Sequence, residues 1–296
     1  MNLAFDHAEF CCALEEGDRL THYQVPVNAE VQEMLKGMLD STLQRLGDLA
    51  ALKEYQPSEK YAPGEFAQVA YDDDLAAHSR TLFEANNITV NSGVLDSIED
   101  LDFYYARFYV NNEVEAVGVK RGSQFKVLQG KRLVFFSDSL RPLGSNVFKL
   151  DEQFDYVITK PNILVANVFG FVQTAEIDEA IQAEAVASAT TMFESVAFLD
   201  APALAAVAEA KKSAARYFAS IKRRGGLENL QKPLVESHCG KFGIELVEEN
   251  GKLRPAPGAE LKFLKLLDYR YLETNLTGEE QLFEATSRAP YTGGTE

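Results

Sequence analysis

The hydrophobic period of this chain changes near residue 175, and that change constrains its fold more than any single motif. Before it, apolar residues run in strand-like stretches. Phe103–Val110 is aromatic and β-branched, Asn111-Asn112 follows, and Val114–Val119 resumes the run, which is the pattern of a β-hairpin. Further strands are expected at Phe125–Leu128, Leu133–Phe136, Val147–Leu150, Asp155–Thr159 and Ile163–Val168. The last two are joined by Lys160-Pro161-Asn162, where proline presets φ and asparagine tolerates a positive one. No helical period interrupts this succession, so an antiparallel sheet is expected and not a βαβ array.

After residue 175 the period is helical. Sixteen alanines lie between Ala175 and Ala219, and Ile177, Ile181, Ala185, Ala189, Met192 and Val196 mark the inner stripe of a helix. Asp200 and Pro202 open another helix, and a third is expected over Glu228–Ser237. Ile244–Val247 and Lys252–Leu253 flank Asn250-Gly251, the strongest two-residue hairpin signal. Leu261–Tyr271 reads as a buried helix, and Thr277-Gly278-Glu279-Glu280 as a capping box that opens a last short one. Ahead of the sheet, Leu20–Val27 is an expected strand, and Asn28 caps a helix whose Val31, Leu35, Met38 and Leu43 recur at helical spacing up to Gly47. Residues 54–72 read as a loop and Asp74–Ala85 as a short helix. The expectation is an α+β protein with an antiparallel sheet-rich N-terminal half, residues 1–175, and a mostly helical C-terminal half, residues 176–296.

Charge narrows the function classes. Among 296 residues, 29 Lys and Arg stand against 45 Asp and Glu, a formal net charge of −16. Such a chain repels nucleic acid on average and is no general polyanion binder. Cys11, Cys12 and Cys239 form neither a disulfide framework nor a CxxC motif, which fits free thiols in a reducing compartment. The first residues lack a basic n-region, and the longest apolar run, Ile163–Val172, is far shorter than the roughly 20 residues that span a bilayer. A cytoplasmic protein is expected, which meets the inner membrane face only through a partner.

Catalytic and cofactor motifs are scarce. There is no GxSxG, HExxH, GxxxxGK[ST] or GxGxxG, and no cofactor, metal ligand set or catalytic residue is expected. His238 and Cys239 are adjacent and would point in different directions from a helix. One constellation is nuclease-like: Asp138, Asp151, Asp155 and Lys160 fall in the strand-rich region. The acid–x–Lys spacing that puts two such side chains on one face of a strand is missing, and charges at loops and strand ends explain the residues as well.

Between Ala201 and Gly226 the charge inverts. Lys211, Lys212, Arg216, Lys222, Arg223 and Arg224 stand against Glu209 alone. On one continuous helix Lys212, Arg216 and Arg223 fall within about 40° of one another, with Lys211 and Lys222 on one shoulder and Arg224 on the other. Three readings are open. The cations complement the helix dipole and pair with residues 176–200, which hold six carboxylates and no base; or they face phosphates; or they meet an acidic protein partner.

The run RLVFFSDSLRPLGSNVFKLDEQFDYVITKPNILVANVFGFVQ and the close LKFLKLLDYRYLETNLTGEEQLFEA carry a family pattern. Its matching positions are Phe148, Phe154, Asp155, Ile158, Ile163, Asn167 and Phe169, then Leu266, Leu267, Asp268, Tyr271, Leu272, Leu276, Thr277 and Gly278. Over about residues 130–290 the chain resembles the KwaB-like family of the bacterial Kiwa anti-phage system. The resemblance implies a defence effector that binds DNA and works with a small membrane partner, KwaA; cations aimed at a duplex backbone would make that binding sequence-independent. It implies no catalytic triad. The matching positions are mostly apolar strand residues and caps, so the DNA contact is placed by charge alone, on Lys211, Lys212, Arg216, Lys222, Arg223 and Arg224. The alternatives are a metal-dependent nuclease and a protein-interaction scaffold. A homodimer is expected, because alanine-rich helices pack closely.

Overall fold

The computed structural model describes residues 5–16, 19–86, 88–91, 101–122, 134–136, 140–142 and 150–285. The chain divides into two compact units, one of residues 1–55 and 62–177 and the other of residues 56–61 and 178–296.

The first unit is built on a nine-stranded sheet. Its strands are β1 (His7–Glu16), β2 (Arg19–Val25), β3 (Lys53–Glu54), β4 (Ala67–Ala70), β5 (Thr89–Val90), β6 (Leu101–Val110), β7 (Glu113–Arg121), β10 (Tyr156–Ile158) and β11 (Asn162–Val165). They lie in the order β3-β4-β11-β10-β7-β6-β1-β2-β5. Val134–Phe136 (β8) and Leu140–Pro142 (β9) pair with each other outside this sheet. Two expected hairpins form where turn chemistry placed them. Asn111 and Asn112 take φ of 52° and 63° between β6 and β7, and β10 pairs with β11 across Thr159–Pro161. The expected strand at Phe125–Leu128, and all but Leu150 of the one at Val147–Leu150, lie outside the described residues.

The sheet is mixed, which corrects the expectation of a purely antiparallel one. Its inner pairs are antiparallel, but β5 runs parallel to β2 at one edge and β3 parallel to β4 at the other. Both edge strands are two residues long. The segment joining β3 to β4, residues 55–66, is long enough for a parallel return. The stretch 54–72 is therefore not all loop. The chain start, which showed no strand signal of its own, supplies β1, whose Cys11 and Cys12 are fully buried.

Both sheet faces are covered, and so β6 is buried almost residue after residue. On one face α1 (Ala29–Leu46), capped by Asn28 Oδ1 accepting from Val31 N–H, sets Leu35, Met38, Leu39 and Leu46 against Phe10, Leu14, Tyr104, Phe108 and Val157. On the other lie α2 (Ala77–Glu84) and α3 (Val168–Thr174), where Phe171 packs edge-on to Tyr156 at 5.1 Å.

Asp155 is where β7, β10 and α3 meet. It is 2% exposed, and its carboxylate accepts from Lys120 Nζ at 2.8 Å, the Arg121 N–H at 2.9 Å and Asn167 Nδ2 at 2.8 Å. Its carbonyl accepts from the N–H groups of Ala166 and Asn167. Gly170 presses so close that a Cβ there would lie 2.4 Å from the carboxylate carbon. Only glycine fits that position in α3.

The second unit holds α4 (Ile177–Glu194), α5 (Ala201–Ala210), α6 (Lys212–Arg224), α7 (Lys232–Lys241) and α8 (Glu260–Leu267), with the hairpins β12 (Leu246–Glu249)–β13 (Lys252–Pro255) and β14 (Tyr271–Thr274)–β15 (Gln281–Glu284). The inner stripe of α4 is Ile177, Ile181, Ala185, Ala189 and Phe193; Phe193, not Met192, continues the four-residue step. The last short helix does not form. Tyr269 turns the chain with φ of 57°, and Gly278, at φ 83°, lies in the turn between β14 and β15. Lys241 pairs with Glu273 and Glu280, Lys265 pairs with Glu284, and Phe242 stacks on Tyr271 at 4.8 Å, so tertiary contacts hold this segment as a hairpin. Gln56–Tyr61 belongs to this unit. Ser58 Oγ lies 2.8 Å from both Ser220 Oγ and Asp268 Oδ2, beside the buried Arg270–Asp268 ion pair.

Removing the Asp155 carboxylate leaves Lys120, 13% exposed at its side chain, and the Arg121 N–H without their acceptor. Asp155→Ala is expected to lower stability by about 3–5 kcal/mol. Lys160→Ala, at an exposed turn, should change it by less than about 0.5 kcal/mol. Urea midpoints of the two variants check the contrast.

Candidate nucleic-acid interface

The basic segment is two helices, not one. Lys211 adopts φ −132° and ψ 98°, which ends α5 and precedes α6. The continuous helix read over 201–226 therefore breaks at its first cation, and Lys211 leaves the shoulder it was to share with Lys222. Lys212, Arg216 and Arg223 remain together on α6. That helix turns Ala214, Ala215, Phe218, Ala219 and Ile221 inward, where Phe218 meets Phe193 of α4 edge-on at 5.7 Å. Gly225 and Gly226, with φ of 68° and 81°, stop it directly after Arg224.

Most of the cations have carboxylate neighbours. Arg216 hydrogen-bonds Asp178, the first-turn acid of α4, and also the Pro57 carbonyl. Glu184 accepts Lys222 at 3.0 Å and lies 3.8 Å from Arg223. Asp178 to Glu184 and Arg216 to Lys222 are both six-residue steps, so α4 and α6 run in the same direction with acids and bases in register. Lys211 reaches Glu260 at 3.0 Å and, through that hydrogen bond, holds the glutamate below its ordinary pKa. Arg224 donates to the Leu267 carbonyl at 2.6 Å and lies over the Tyr269 ring at 3.9 Å.

These contacts differ in strength. Glu184 is 7% exposed and Arg223 11%, a largely desolvated pair whose cation is committed to the fold. The Lys211 and Lys222 side chains are each 42% exposed, but their partners Glu260 and Glu184 are 18% and 7% exposed, so the cation end of each pair is solvated while the carboxylate end is not. Lys212 is exposed and has no ion pair among the described residues. A groove of about 810 Å³ runs beside it between α4 and α6. Lys212 and Arg216 border the groove on one side, Asp178 and Glu179 on the other, and Ile181 and Val186 line it between them. The arrangement offers two lysines at the start of one helix, Arg216 one turn on and Lys222 in the last turn, and among the described residues here no group placed for chemistry.

Of the nuclease-like residues, Asp155 and Lys160 are not brought together. Asp155 and Lys160 sit at opposite ends of β10, and every bond described for Asp155 is internal. Asp138 lies outside the described residues. No group of three or more His, Cys, Asp or Glu able to hold a metal ion occurs among the described residues. In α7 His238 is exposed and Cys239 buried, so the adjacent pair points opposite ways.

Sequence reasoning passed over a cation–aromatic pair in which Phe169 is exposed and Arg121 half-buried. Arg121, at the end of β7, lies over the ring of Phe169 in α3 at 4.7 Å. Phe169 entered only as a position in a family pattern. A signal was available, since between Lys120 and Lys149 seven Lys and Arg stand against Asp138 alone.

A family model described as "Kiwa protein KwaB-like" matches residues 99–277, more than half of the chain. The match begins earlier than residue 130 and stops short of 290. It contains Asp155, Asn167, Phe169 and all six cations. Comparisons with curated proteins and with solved structures found no match.

Burial pushes the Cys11 and Cys239 thiols up to about 12 and raises that of Cys12 as well. At pH 8 almost no thiolate exists on the folded chain. The native protein should react with Ellman's reagent only as fast as it unfolds, and all three cysteines should react at once in guanidinium. A fast thiol in the native state would restore Cys239 as a candidate nucleophile.

Proposed function

The chain belongs to the KwaB-like family of Kiwa proteins, components of bacterial anti-phage defence, and on that premise we propose that it binds DNA through α6 and its flanks. Lys212 carries this reading: a solvent-exposed cation with no ion pair among the described residues, in a chain of net charge −16. Lys211 and Lys222, whose side chains are 42% exposed beside their carboxylate partners, flank it. Arg216 joins them when a phosphate outcompetes Asp178. Contacts of this kind read no bases, so binding is sequence-independent and falls as salt rises. The acidic remainder of the chain repels the duplex elsewhere and confines it to this strip. Arg223 and Arg224 support the strip from within and touch little DNA themselves.

The effector acts without catalysis, beside a small membrane protein of the KwaA type. Among the described residues no helix is long and apolar enough to cross a membrane, and this reading gives that role to the partner. Two copies of the chain pair through small exposed residues of α4, among them Ala183 and Ala187.

A second reading has its own observation. Arg216, Lys222 and Arg223 all meet carboxylates of α4, as they would in a protein-interaction scaffold whose basic helix serves only the fold.

A salt titration separates the two. With three lysines on phosphates, log Kd against log salt should have a slope of about 2.7 for duplex DNA, at roughly 0.9 per contact. Lys212→Glu with Lys222→Glu should weaken binding about tenfold or more and reduce that slope by about 2. Affinity and slope unchanged in the double variant would leave the scaffold.

A further inference from the structure

We propose that Phe169 and Arg121 form a stacking platform for an unpaired nucleobase, a second nucleic-acid contact that lies in the first unit and not on α6. The proposal deepens the DNA-binding reading and rests on it for the kind of ligand, but it stands on different residues.

Phe169 is 63% exposed. A lone exposed apolar side chain needs no explanation, but this one is held in place. On one side of it Asn167 donates its backbone N–H to the Asp155 carbonyl and its Nδ2 to the Asp155 carboxylate. On the other side Gly170 packs directly against that carboxylate. Arg121 is fixed to the same group, since its N–H donates to Asp155 Oδ2 at 2.9 Å. One buried side chain therefore anchors the backbone on which both the aromatic ring and the arginine stand, and the guanidinium lies 4.7 Å from the ring centroid. An anchored backbone lowers the cost of ordering the pair for a ligand.

Charge selects the ligand. The chain continues from Arg121 as a basic sequence, seven Lys and Arg against one Asp between Lys120 and Lys149, and a net positive segment of this kind favours a polyanion. By contrast, Phe283, the exposed aromatic of β15, lies on a hairpin that carries Glu273, Glu280 and Glu284. An aromatic face with an adjacent guanidinium fits a base stacked on Phe169, while the guanidinium adds cation–π attraction and reaches a phosphate. In a duplex the base faces are already stacked on their neighbours, so the ligand is a single-stranded segment, a frayed end or a gap. Stacking is indifferent to base identity, which keeps the contact sequence-independent.

The test measures anisotropy of two labelled single strands of equal length on the full chain, an oligothymidylate and its abasic counterpart. The wild type should prefer the base-bearing strand by about tenfold, equivalent to 1.4 kcal/mol. Phe169→Ala should remove that preference and leave abasic binding unchanged, and Phe169→Tyr should retain it. Arg121→Met should weaken both strands and reduce the preference. A preference that survives Phe169→Ala, or none in the wild type, overturns the platform, whatever Lys212→Glu does. Strand binding that persists in Lys212→Glu with Lys222→Glu but loses base preference with Phe169→Ala supports the platform and overturns the α6 reading.

Discussion

A buried carboxylate organises the first unit. Asp155 takes a lysine, two side-chain or backbone N–H donors and the approach of a glycine, and in doing so joins the ends of β7 and β10 to the start of α3. A desolvated carboxylate tolerates burial only when its oxygens are met by donors and its charge is balanced, and both conditions hold here. The family pattern includes Asp155 and Asn167, which bond each other, and Phe169, whose position that bond fixes. Residues that looked like identifiers of a fold are thus one construction. The carboxylate that seemed the best candidate for metal chemistry holds the sheet to its helix.

The second unit solves a charge problem. An alanine-rich helix carrying Asp178 and Glu184 runs beside one carrying Arg216, Lys222 and Arg223, with the same six-residue step on both. Pairing draws the two helices together and removes most of the local excess that made 201–226 conspicuous. What is left over is small: of the six cations, Lys212 alone is exposed with no ion pair or side-chain hydrogen bond among the described residues, and Lys211 and Lys222 keep their side chains partly in solvent.

Much of the fold was legible because local chemistry decided it. Asn111-Asn112 and Asn250-Gly251 take the positive φ values that their turn types require, and Asn28 and Asp200 cap the helices they precede. The stripe of α4 followed from spacing alone. The misses share a cause. The edge strands β3 and β5 are two residues long and exist only because a sheet edge accepts them. The segment after Thr277 carries a helix-opening signal, yet Lys241, Lys265 and Phe242 hold it as a strand. Nothing in Ala210-Lys211-Lys212 announces a break, and the wheel drawn through it misplaced Lys211. The six cations could be counted in the sequence, but which of them are occupied could not, because their carboxylate partners lie between 38 and 49 residues away.

By itself the sequence determined the class of fold, the turn and cap positions, the family and the inversion of charge at 201–226. These depend on periods of two and 3.6 residues, on φ preferences and on counting, all of which are local. Tertiary structure alone decided that Asp155 is a structural acceptor, that Arg223 is largely buried beside Glu184 while Lys212 is exposed with no ion pair among the described residues, and that Arg121 lies over Phe169. Each of those is a matter of which groups share a desolvated space, and distance along the chain carries almost no information about that.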